Sequence, residues 1–114
     1  MLRFNCSIAA ILLLAGAVLH GTPACADAAL VARGRALAKA NCSRCHAIGI
    51  TGESTNPKSP PFRYLARKYP LNDLEESLSE GIMVGHRGAE MPHFQFSPAQ
   101  IAALLAYLGS VQEK

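Results

Sequence analysis

The chain is expected to be all-α, with three main helices joined by long loops. Ile101, Leu104, Leu105, Leu108 and Val111 recur at the spacing of one helix face. A complete helix-start signal precedes them. No stretch after residue 26 alternates apolar and polar side chains as a half-buried strand does.

Taken in order, residues 1–26 read as a signal peptide that is cleaved, and residues 27–114 as a single domain. Arg3 gives a short positive start, residues 8–19 carry no charge or strongly polar group, and Ala24-Cys25-Ala26 puts small residues before Asp27. Such a run spans about 18 Å as a helix, well short of the ~30 Å hydrocarbon core, so cleavage is expected rather than membrane anchoring. A lipid-modified Cys25 is disfavoured, because Thr22 stands where such sites carry an aliphatic residue.

Residues 28–41 read as a helix with Leu30, Gly34, Leu37 and Ala38 on one face. Gly34 costs about 1 kcal/mol there relative to alanine, which points to a close helix crossing. Residues 47–61 hold three prolines and two glycines and form a long loop. Residues 71–80 read as a short helix, with Asn72 as its cap and Glu75 completing a capping box. The last helix opens on Ser97-Pro98-Ala99-Gln100: a cap, a proline at the first helical position and a glutamine at the third.

Composition narrows the function. A formal charge of +3 is too small to argue for nucleic-acid binding, and the lack of tryptophan with only seven Phe and Tyr excludes an aromatic-rich core. Once residues 1–26 are removed, two of the four cysteines remain, so a disulfide framework is not expected. Eighty-eight residues make a small domain, of the kind that often needs an added core element.

Cys42-Ser43-Arg44-Cys45-His46 supplies a candidate for that element. Two thiols on one turn reach the two vinyl groups of a haem, and the next residue offers its imidazole to the iron. A redox-active dithiol would expect a βαβ context, which is missing. A structural zinc site would expect a second Cys or His pair at short spacing, and His86 and His93 are poorly placed for one.

With these residues the chain resembles the small monohaem c-type cytochromes of class I, across roughly residues 28–111. Gly34 stands eight residues before Cys42, Met91-Pro92 falls in the C-terminal third, and Leu104-Leu105-Ala106-Tyr107-Leu108 lies in the last helix. The resemblance implies a cytochrome c-like fold around one covalently attached haem c, with Gly34 at the crossing of the terminal helices and Tyr107 packed against it. It also implies that His46 donates its second N–H to the carbonyl of Pro60, with Pro61 as the neighbour to consider. The chain departs from the pattern at Ala38, where an aromatic residue is common. Either the helices cross more closely there or Leu37 fills the gap.

His46 takes one axial position of the iron. Met83, His86, Met91 and His93 compete for the other, and Met91 is preferred because Pro92 holds it extended. Phe62, Leu65, Ile82, Met83, Phe94 and Phe96 are candidates for the apolar haem wall. Histidine with methionine saturates the iron, which predicts a periplasmic electron carrier rather than an enzyme. The alternative is a small haem enzyme or sensor with a displaceable sixth ligand, in which His86 and Arg87 would act. The expected partners are redox proteins, with no nucleic acid and membrane contact only through a membrane-bound partner, and the carrier is expected to be a monomer. Residues 27–72 hold eight basic and two acidic side chains, and residues 73–114 hold two basic and six acidic. This polarity predicts that partners bring an acidic face to the basic side around Arg44.

Overall fold

The computed structural model describes residues 23–81, 91 and 94–114. Residues 1–22, most of the expected signal peptide, lie outside the described residues, as do Ile82, Met83, His86, Arg87, Pro92 and His93. Four helices are described: α1 (Pro23–Asn41), α2 (Leu65–Lys68), α3 (Leu71–Glu80) and α4 (Pro98–Val111), with a 3-10 turn, Phe62–Tyr64, leading into α2. The described residues contain no strand. No described helix is long and apolar enough to cross a membrane.

α1 begins at Pro23, ahead of the expected start at residue 28, and runs without a break through Ala26 and Asp27. Ala24, Ala26, Ala28 and Ala29 are strong helix formers, which accounts for the extension. α4 starts as expected. The Ser97 hydroxyl accepts from Gln100 N at 3.2 Å, and Gln100 Oε1 accepts from Ser97 N at 2.8 Å, so both members of the capping box are engaged.

α3 has the expected extent but not the expected cap. Pro70 occupies the capping position, without a side-chain hydrogen bond, and its carbonyl accepts from Asp73 N at 3.0 Å. Proline forces Tyr69 into extended backbone (φ −137°, ψ 126°), so the helix cannot extend backward past Pro70. Asn72 therefore lies inside the first turn, and the Asn72–Glu75 capping box does not form. The turn and short helix over residues 62–68 were not expected from the sequence.

α1 and α4 cross at Gly34. A Cβ there would overlap the carbonyl oxygen of Ala103 and come within 2.6 Å of Tyr107 Cβ. Four residues on, Ala38 is fully buried. The small side chain at Ala38 thus belongs to a close crossing, with Leu37 packed half-buried against the same core. Phe62, Leu104, Tyr107, Leu108 and Val111 complete that core, and Leu71 and Leu74 of α3 pack onto it. Tyr107 buries its ring and donates its hydroxyl to Ile48 O at 2.8 Å, tying α4 to the loop after His46.

Candidate functional site

The site forms where α1 ends. Cys42 N and Ser43 N both donate to Ala38 O, at 2.8 and 3.1 Å, and His46 N donates to Cys42 O at 3.0 Å. Asn41 Nδ2 donates to Leu37 O and Ser43 Oγ to Lys39 O, satisfying carbonyls that the helix end leaves unpaired. Cys42, Cys45 and His46 are thereby fixed on one turn directly after α1. Both cysteines are half-buried and His46 is 8% exposed.

The following loop folds back over this turn. Asn56 N donates to Cys45 O, Thr55 Oγ1 to Arg44 O, and Ala47 N to Ser54 Oγ. The loop then carries Pro60 to the histidine, where His46 Nδ1 donates to Pro60 O at 2.8 Å. With Nδ1 donating, Nε2 of the neutral ring carries the lone pair. Phe62 N donates to Ala47 O at 2.9 Å, and the Phe62 ring lies 5.3 Å from the His46 ring, tilted by 49°. The imidazole is held by a carbonyl at one nitrogen and by an aromatic ring at its side.

Burial pushes the Cys42 thiol up to about 11. A catalytic dithiol works through a depressed thiol pKa in an electropositive setting. Burial gives Cys42 the opposite character, which disfavours a redox-active Cys-x-x-Cys pair.

Comparison with known protein families matches residues 31–112 to cytochrome c. The chain belongs to the cytochrome c family. No curated protein and no solved structure gives a match. Cytochromes c bind haem covalently through cysteine and transfer electrons with it, and the helical fold around the Cys42–His46 turn is that of the family.

The residues present fit a haem c. Two thiols share one turn, an imidazole beside them is anchored through Nδ1, and a thioether, Met91, is half-buried further along the chain. The thiols suit addition to the vinyl groups of a haem, and the imidazole and thioether suit its iron. Of the expected apolar wall, Phe62 is buried, and Leu65 and Phe96 are half-buried against the core. Phe94 stacks on Phe96 with ring centroids 5.6 Å apart.

Several contacts at this cytochrome c site had no sequence signal of their own. Arg63 is buried, with Nη1 donating to Gly52 O at 2.7 Å, Glu53 at 3.7 Å and the guanidinium 4.5 Å above the Tyr64 ring. Gln112, beyond the end of α4, reaches back to the backbone around Phe62. Only the buried tyrosine hydroxyl of Tyr107 follows a general rule, since a buried phenol needs a partner.

Proposed function

We propose that the protein is a periplasmic, monomeric electron carrier that holds one haem c per chain through thioether links to Cys42 and Cys45. His46 and Met91 are the axial ligands of its iron. Bound there, the haem supplies an iron that cycles between Fe(II) and Fe(III). The observation that carries the reading is the His46 Nδ1 donation to Pro60 O at 2.8 Å, which sets the tautomer so that Nε2 carries the lone pair.

The roles of the chain follow from that anchor. Pro60 keeps the imidazole oriented and raises its basicity. Met91 offers a thioether, which favours ferrous iron relative to a second imidazole and raises the reduction potential. With both axial positions filled by protein, substrate and oxygen have no access to the iron, so the carrier is not an enzyme. Export across the inner membrane rests on the features of residues 1–26. Redox proteins are the partners on either side of the transfer.

Substitution of the holoprotein tests the ligand set. Met91→Ala should abolish the sulfur-to-iron charge-transfer absorption and lower the reduction potential, while Met83→Ala keeps the band. Retention of the band in Met91→Ala overturns the assignment.

A further inference from the structure

Gln112 follows the last residue of α4, and its side chain makes three hydrogen bonds. Nε2 donates to Phe62 O at 2.7 Å and to Leu108 O at 2.8 Å, while Oε1 accepts from Ala66 N at 2.8 Å. Both amide protons are thus engaged. Leu108 O is one of the carbonyls left over at the C-terminal end of α4, so one contact caps the helix. The other two reach across more than forty residues of sequence to the segment beside the histidine. The next residue adds to the same strap: Glu113 N donates to Arg63 O at 2.9 Å, and Glu113 pairs with Arg67 at 3.1 Å.

That segment meets His46 twice and its neighbour Ala47 once. Pro60 O accepts from the ring, Phe62 N is bonded to the carbonyl of the adjacent Ala47, and the Phe62 ring lies against the imidazole. Pro60 and Phe62 thus support the imidazole, and Gln112 holds the same segment through the Phe62 carbonyl. Loop residues 47–59 alone give a poor foundation, because Gly49, Gly52 and Pro57 interrupt them. A rigid helix end gives a better one.

We propose that Gln112 is the positioning residue for the axial histidine, fixing His46 through Phe62 and Pro60. This rests on the reading of His46 as the iron ligand and extends it to the element that holds the ligand still. The amide suits the task because it donates twice and accepts once in a single plane. A carboxylate at the same position would face two carbonyl oxygens with no proton to give, unless it were itself protonated.

The test uses haem-loaded protein and follows solvent exchange of the His46 Nδ1–H by NMR in the wild type, Gln112→Ala, Gln112→Glu and Ser97→Ala. Ser97→Ala removes the cap at the far end of α4 and serves as a control for general loss of stability. Gln112→Ala should speed this exchange by roughly tenfold beyond the control, the worth of the lost bond to Phe62 O, the one of its three made to a residue that touches His46. Gln112→Glu should behave like Gln112→Ala at neutral pH. It should recover protection as pH falls through the carboxylate range, because the protonated acid can donate to Phe62 O. Equal exchange in Gln112→Ala and Ser97→Ala, or a Gln112→Glu profile that does not respond to pH, overturns the proposal. Failure of the ligand reading itself shows separately, as a wild-type His46 ring without the iron's hyperfine shift.

Discussion

Gly34→Ala places one methyl group where the structure has no room. The new Cβ would overlap Ala103 O and sit 2.6 Å from Tyr107 Cβ, against the 3.4 Å or more of ordinary contact. The obstruction at Ala103 is backbone, so it cannot rotate aside, and α4 must shift by about an ångström. Overpacking of this kind costs about 3 kcal/mol at the upper end of its usual range. Alanine returns about 1 kcal/mol through its better helix propensity. The net loss is about 2 kcal/mol, which lowers the unfolding midpoint of a domain this size by about 10 °C. Gly109→Ala, also in α4, is the internal control: its Cβ meets only Leu71 Cδ1 at 4.0 Å, so propensity alone should make it neutral or slightly stabilising. Thermal unfolding of the holoprotein, followed by far-ultraviolet circular dichroism, measures both. A Gly34→Ala protein as stable as Gly109→Ala would refute the close crossing.

Tyr107→Phe removes the 2.8 Å hydrogen bond to Ile48 O while keeping the buried ring, and should cost about 1 kcal/mol in denaturant titration. Electron transfer to an acidic redox partner should slow as ionic strength rises, because screening shortens to about 10 Å at 0.1 M salt. The structure sets exposed Arg44 beside the haem cysteines and exposed Asp73, Glu75, Glu76 and Glu80 on α3. A stopped-flow rate that stays flat or rises with salt rejects the docking idea. Osmotic-shock fractionation should release the protein with the periplasm, and recovery with the cytoplasmic fraction would contradict export.

How much was legible in the sequence depended on whether the signal was local. The cap, proline and apolar stripe of α4 are adjacent in sequence, and the structure has all three. The placing of Cys42, Cys45 and His46 on one turn was equally legible, because the three lie within five residues of sequence. α3 shows the limit: Asn72 and Glu75 have the right chemistry for a capping box, yet Pro70 set the start through the backbone of Tyr69. The turn and helix over residues 62–68 went unread because two of the stretch's anchors, Gln112 and Glu113, lie at the other end of the chain. Pro60 acts through its carbonyl, an atom every residue has, so only the family resemblance pointed to it. The burial of Arg63 had no signal either, since nothing near it in sequence announces the Gly52 carbonyl that receives it.

Acid–organic extraction of the denatured holoprotein tests whether haem is bound covalently at Cys42 and Cys45. The haem should stay with the polypeptide, with an intact mass equal to one chain plus one haem. Haem released into the organic phase would contradict covalent attachment.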